Sequence, residues 1–526
     1  MKNAAMLVLV LAMCSSAWAA TIEFQGPNGA TLGTGSNWYI LTDAGNPASR
    51  TGATRMPVKY LGDYPGTMGD DAIIRNGTTT TLSTLLEAQR LYLGSPLITN
   101  QPTAGMTTMY IQNGATISLY SGDANDDPEA VIDARMSIGG NYNATVTMNG
   151  GLVDISSRAG QGLYLATAGA GTGILNMNGG TIRQWAPIAG LPRVQLGSQL
   201  GGYAQLNQSG GLIKMDGDTD AGNWAYIGIG SRADYNMTGG TFSSPGTVRI
   251  GTEDTDVVGT GVFTQTGGLF EYHYRVLVGD GNRQDANVGH LRLLGGTFRH
   301  MNYGGHDGHE IWLGRGSAET AYAGAVGKLT INQSAVLDAN LIMGRDGIDA
   351  VNSQMELKIN SAANFQMDFE NWCLLGGGLE VSLTNGYVPT VGQEWRMATL
   401  WEGSPYKMYA LNFLTTTPGF RAEQRGLETW LVCTGIKHAG DANNDGKVNV
   451  GDLGILAGNW GQVTALGKSW AEGDFNGDDV VNVGDLGILA GAWGWIGTPA
   501  AATAVPEPAS LVLLTLGGLA MLRRRK

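Results

Sequence analysis

From about Thr21 to Lys437, apolar and polar positions alternate in short runs that glycines interrupt, and the runs recur. The clearest unit reads MNGGLV at 148, MNGGTI at 177, QSGGLI at 208, MTGGTF at 237, QTGGLF at 265 and LLGGTF at 293. Its first glycines, Gly150, Gly179, Gly210, Gly239, Gly267 and Gly295, are 29, 31, 29, 28 and 28 residues apart. A second unit, apolar-x-apolar-Gly, falls between them at Ser137-Ile138-Gly139, Val194 to Gly197, Tyr226-Ile227-Gly228, Val248 to Gly251, Leu277-Val278-Gly279 and Ile311 to Gly314. Weaker echoes stand at Ile111 to Gly114, Asn332 to Ala335 and Leu341 to Gly344.

Within a unit the period is two, as in Leu175 and Met177, which predicts strands; the paired glycines predict sharp bends between them. Three strands of four to six residues plus bends fill about 29 residues, so each repeat predicts one coil of a right-handed parallel β-helix or solenoid. One coil cannot bury its inward face alone and depends on its neighbours. Asn149, Asn178, Thr238 and Thr266, beside the glycines, are placed to stack into ladders at the bends. The fold class is therefore mainly β, with solenoid repeats over 20–375 and a β-rich cap over 376–437, where the period fades but strand-like runs such as Trp395 to Leu400 and Thr429 to Cys433 remain. The repeats resemble the autotransporter-type passenger repeats of large secreted bacterial β-helix proteins, over about residues 70–365. The pectate-lyase-like fold is the related enzyme possibility.

Past Lys437 the pattern changes to two copies of a twelve-residue acidic segment, DANNDGKVNVGD at 441–452 and DFNGDDVVNVGD at 474–485. Asp441, Asn443, Asp445, the Lys447 carbonyl, Asn449 and Asp452 occupy positions 1, 3, 5, 7, 9 and 12, and Asp474, Asn476, Asp478, the Val480 carbonyl, Asn482 and Asp485 repeat them. Oxygen donors at this spacing suit calcium, which takes six to eight of them, so two calcium ions are expected, with folding coupled to their binding. Each loop runs into DLGILAG, which predicts a short helix with Leu453, Leu456 and Trp460, or Leu486, Leu489 and Trp493, on one face.

Loop, helix, linker, loop, helix, with Asp at position 12 and no helix before either loop, resembles the type I dockerin family over 438–496. The resemblance implies a small α module with two calcium ions and a cohesin-type partner. Two departures stand out: position 6 of the second loop is Asp479 where a turn glycine is usual, and positions 10 and 11 are the small, apolar Val450-Gly451 and Val483-Gly484. A metal-stapled spacer is the other reading of the same residues.

Both termini read as targeting segments. Residues 1–19 open with Lys2, run apolar from Ala4 to Met13 and end in Ala17-Trp18-Ala19, the pattern of a signal peptide. A small-residue linker at 497–504 precedes VPEPAS, an apolar run from Leu511 to Leu522, and Arg523-Arg524-Arg525-Lys526. Apolar run plus basic stop predicts a C-terminal transmembrane helix with its basic end cytoplasmic. The 505–526 segment resembles the PEP-CTERM sorting signal, with the exosortase cleavage motif carried by Pro506, Glu507 and Pro508. That resemblance implies export from a Gram-negative-type bacterium, transient inner-membrane anchoring, and release or attachment at the cell surface.

A formal charge of −13 disfavours nucleic acid as a partner. After removal of the leader, Cys373 and Cys433 remain, equally compatible with a disulfide and with buried thiols. Three clusters invite a search for chemistry in the solenoid: Asp216, Asp218 and Asp220; Glu253, Asp254 and Asp256; and His300, His306, Asp307, His309 and Glu310. The first two read best as solvated loop acids; the third could offer imidazole and carboxylate ligands to a transition metal, but it lacks the helical HExxH spacing and reads equally as a polar insertion between coils. Trp185, Trp224, Tyr226, Tyr272, Tyr274, Tyr303 and Trp312 recur along the coils, as a sugar-stacking stripe or as core. No catalytic residue is assigned. The sequence as a whole reads as an exported structural or adhesive solenoid in contact with matrix or polysaccharide. The alternative is a dockerin-bearing polysaccharide lyase or glycoside hydrolase.

Overall fold

A computed structural model describes residues 21–24, 30–31, 38–41, 50–52 and, with short internal gaps, 71–496. The leader at 1–19, the linker at 497–504 and the sorting segment at 505–526, with Pro506, Glu507 and Pro508, lie outside the described residues. No helix among the described residues is long and apolar enough to cross a membrane. The chain divides into two compact units, one made mainly of residues up to Gly435 and the other of residues from Ile436 on.

The first unit is a parallel β-solenoid. Each coil gives two strands to a 26-stranded sheet and one to a 13-stranded sheet. One coil is built of Trp224–Ile229, Arg232–Met237 and Thr241–Ser244, and the next of Thr247–Thr252, Thr260–Gln265 and Leu269–Tyr272. Every strand of the first coil pairs in parallel with its equivalent in the second. The register runs Ala144, Gly173, Ala204, Ala233, Gly261, Gly289, the same steps of 29, 31, 29, 28 and 28 residues that separate the glycine pairs in the sequence. A parallel ladder in constant register places like residues above like residues, so the sequence repeat becomes columns of side chains.

Alternation fixes which columns point inward. Val153, Ile182, Ile213, Phe242, Phe270 and Phe298 form one such column, each fully buried. Its three phenylalanines stack with centroids 4.7 Å apart and rings nearly parallel, at 9° and 2°. Phe263 meets Phe270 edge-on at 4.9 Å from the facing sheet, so the two sheets interlock through aromatic contacts.

Polar columns form at the bends. Asn178 donates to Asn149 Oδ1 at 3.0 Å and Ser209 donates to Asn178 Oδ1 at 3.0 Å, a ladder of the kind the Asn residues beside the glycines lead one to expect. The glycine that closes the apolar-x-apolar-Gly unit answers a different need. At Gly251 the backbone is left-handed, with φ +68°, and a Cβ would run into the Val288 carbonyl of the next coil.

One outward column is buried. Glu356, 1% exposed, accepts from Lys328 Nζ, Thr330 Oγ1 and Ser382 Oγ at 3.0, 3.0 and 2.8 Å, with Lys358 Nζ at 3.9 Å. Burial raises the acid's pKa, but the two lysine charges and the hydrogen bonds outweigh it, bringing the carboxyl down from 4.5 to about 2.

The parallel register continues beyond the point where the sequence period fades. Trp372–Leu383 is a single twelve-residue strand that pairs first with 341–343 and then with 354–359, and Met408–Thr416 lies parallel to it. Only then does the direction reverse: Phe420–Arg425 and Glu428–Cys433 form an antiparallel hairpin joined to Glu394–Leu400. At the other end Thr21–Phe24 pairs in parallel with Asp71–Ile74 and antiparallel with Trp38–Leu41. Cys433 keeps a free, buried thiol that donates to the Gly435 carbonyl at 2.9 Å, so it forms no disulfide; the Cys373 side chain lies outside the described residues.

Candidate metal centre

The second unit holds the two acidic loops and the helices Val450–Gly458 and Val483–Gly491. Each helix starts because the residues at loop positions 9 and 12 form a capping box. Asn449 accepts from the Gly451 N–H while Asp452 accepts from the Asn449 N–H, and Asn482, Gly484 and Asp485 repeat the arrangement. The position-12 carboxylate also reaches back to the start of its loop. Asp452 accepts from the N–H groups of Ala442 and Asn443 at 2.9 and 3.3 Å, and Asp485 from those of Phe475 and Asn476 at 2.8 and 3.1 Å. One residue therefore ties both ends of the loop together.

Position 1 organises the middle. Asp441 accepts from the N–H groups of Asp445 and Gly446, and Asp474 from those of Gly477, Asp478 and Asp479. The chain curls around these carboxylates by adopting left-handed backbone twice in each loop. The first loop uses Asn444, φ +55°, and Gly446, φ +81°; the second uses Gly477, φ +73°, and Asp479, φ +73°. Asp479 therefore adopts the turn that the absent glycine normally makes, and the glycine has moved to position 4. Asp is among the few L-residues that tolerate this region.

In the second loop, Asp474, Asp478 and Asp485 each bring one carboxylate oxygen within 4.8 Å of the others. In the first loop the crowding shows electrostatically. Burial, followed by the negative charges of Asp452 and Asp445, pushes the Asp441 carboxyl above its ordinary range, against the lowering effect of the Gly446 and Asp445 N–H groups. A cation would relieve that strain. The donor set consists wholly of carboxylate, amide and carbonyl oxygens, with no sulfur or imidazole, and fits a hard divalent ion.

The helices bury Leu456 and Leu489, both 1% exposed, as their spacing predicts. Trp460 and Trp493 depart from it, at 46% and 52% exposure. The helices stop at Gly458 and Gly491, so these tryptophans sit in the turns beyond the C-caps and not on a continued helical face. The aromatic that supports the site is one that donor spacing does not reveal. Trp470 is buried, meets Phe475 edge-on at 5.3 Å, and donates from Nε1 to the Asp441 carbonyl at 3.0 Å. Lys468 likewise gathers Asn459, Gln462 and Glu472 at 3.0 to 3.1 Å.

In the solenoid, the expected clusters come together only in part. Asp218, Asp220, Glu253, Asp254, Asp256, Tyr303, His306, Asp307 and His309 lie outside the described residues. Asp216 ends a strand and takes hydrogen-bonded ion pairs from Lys214 and Arg183 at 2.7 and 2.8 Å. Glu310 is buried and paired with Arg275 at 3.3 Å. Of the aromatic series, Tyr226 and Tyr272 are buried, whereas Trp185, Trp224, Tyr274 and Trp312 are half-buried; Trp224 lies under the Arg249 guanidinium at 5.0 Å.

No curated protein and no solved structure matches the chain. Residues 504–526 match the PEP-CTERM protein-sorting motif, which marks the chain as an exported, surface-destined protein with exosortase as its sorting partner.

Proposed function

We propose that the chain is a structural or adhesive display protein of the cell surface or extracellular matrix, whose solenoid is presented together with a calcium-dependent, dockerin-like module. The convergence of Asp474, Asp478 and Asp485 is the observation that carries the calcium assignment. In this reading Asp441, Asn443, Asp445, the Lys447 carbonyl, Asn449 and Asp452 hold one ion, and Asp474, Asn476, Asp478, the Val480 carbonyl, Asn482 and Asp485 hold a second. The ions offset carboxylate repulsion, as at Asp441, and stabilise the loop geometry that starts each helix. A cohesin-type module and an extracellular polysaccharide are the partners this organisation serves, after transient anchoring in the inner membrane through the sorting segment.

The test is calorimetric titration of the chelator-treated mature protein with calcium, alongside circular dichroism. Two equivalents of calcium should bind with heat and raise helical signal, and Asp474→Ala with Asp485→Ala should remove one equivalent. Silence in both measurements would overturn the calcium assignment, and with it the module's proposed dependence on metal.

A further inference from the structure

On the 13-stranded sheet side, chain lengths between coils differ sharply. Strand Leu212–Asp216 is followed by seven residues before Trp224, and Gly296–His300 by nine before Glu310. The two coils between them turn with only Pro245-Gly246 and with His273-Tyr274-Arg275. A cavity of about 310 Å³ lies against these two short turns, lined by Lys214, Asp216, Ser243, Pro245, His273 and Met301 among others. That volume is at the lower end of ligand sites, the size for one small ring.

The chemistry of the recess is mixed in a specific way. Asp216 is held by Lys214 Nζ at 2.7 Å and by Arg183 Nε at 2.8 Å, and both cations are about half exposed, at 48% and 49%. Burial alone would raise the Asp216 pKa, but those two hydrogen bonds and charges keep it lowered, so the carboxylate stays ionised. Pro245 and Met301 contribute apolar wall, and the Ser243 hydroxyl contributes a further donor and acceptor.

We propose that this recess is a subsite for a single pyranose residue of a polysaccharide chain. A pyranose presents vicinal hydroxyls on its rim and apolar C–H faces. The ionised Asp216 accepts from hydroxyls, Lys214 donates to ring or carboxylate oxygens, and Pro245 with Met301 covers the C–H face. Linear polymers extend along the coils, at about 4.8 Å per coil, so neighbouring sugars pass over the exposed outer columns of the same sheet. The inference deepens the polysaccharide-contact reading above and supplies it with residues.

The mature full chain is titrated calorimetrically with two soluble probes, polygalacturonate for uronic sugars and laminarin for neutral ones, and its melting curve is recorded. The expected result is binding of at least one probe, weakened at least tenfold by Asp216→Asn and by Ser243→Trp, which fills the recess, with melting unchanged. Arg232→Gln, an exposed cation on the larger sheet, should leave binding as it is. No binding to either probe, or wild-type binding by both recess variants, would overturn the subsite. Calcium uptake and cleavage of the sorting segment, read by mass, test the display reading separately, so either can fail alone.

Discussion

Asn236 donates from Nδ2 to Asn207 Oδ1 at 3.0 Å, and Asn207 makes the same bond to Asn176 at 2.8 Å. Asn207 thus donates to the coil before it and accepts from the coil after it. Asn207→Ala breaks both links of this part-buried ladder. At about 0.5–1.5 kcal/mol for each hydrogen bond, the loss should be about 1–3 kcal/mol, read as a lowered urea midpoint.

Phe270 is the middle ring of three, 4.7 Å from Phe242 on one side and from Phe298 on the other. Phe270→Ala should cost about 3–5 kcal/mol, because the fixed strands on both sides prevent the void from closing. Phe270→Leu should cost clearly less. Equal losses in chemical denaturation for the two variants would show that stacking volume is not what matters there.

Glycines should divide sharply by place. A Cβ on Gly289 would meet the Gly279 nitrogen and the Ile250 carbonyl, backbone atoms that cannot swing aside. Gly289→Ala should therefore destabilise by about 3 kcal/mol or lower the yield of folded protein. Gly454, mid-helix with open space around it, is the contrast. Gly454→Ala should stabilise by about 0.5–1 kcal/mol on helix propensity. Thermal melts of the two variants should move in opposite directions.

The Glu356 network gives the fold a defined acid limit. Its carboxyl is lowered on folding from 4.5 to about 2, so its contribution is present above about pH 4.5 and is lost as pH falls toward 2. Glu356→Gln removes one partner of a buried ionic group and leaves Lys328 and Lys358 without that charge; at pH 7 the loss should be about 3–5 kcal/mol. The gap between variant and wild type, followed by denaturation at stepped pH, should narrow across that window. A constant gap would place the stabilisation elsewhere.

What the sequence disclosed of this fold is what is local or periodic. The spacing from Gly150 to Gly295 equals the strand register from Ala144 to Gly289, because a bend that recurs in sequence recurs in space. The two short helices that follow the acidic loops were legible too, since their apolar spacing is local to a few residues. Three things were not. The step from Gly289 to Gly327 is 38 residues, so insertions hide a coil whose ladder is unbroken. The ion pairs of Glu356 join residues 28 apart on one side and two on the other, and in sequence they read as ordinary solvated charges. Likewise Asp216 with Lys214 and Arg183 reads as a loop acid until neighbouring coils place the three together.

The unchanging parallel register has one more consequence. Because Ala204 faces Ala233 just as Ala233 faces Gly261, a coil can be excised or duplicated whole and the surviving edges still find the partners they had before. The length of the solenoid is then a dimension that evolution, or an engineer, can set in whole-coil steps of about 5 Å without redesigning either end.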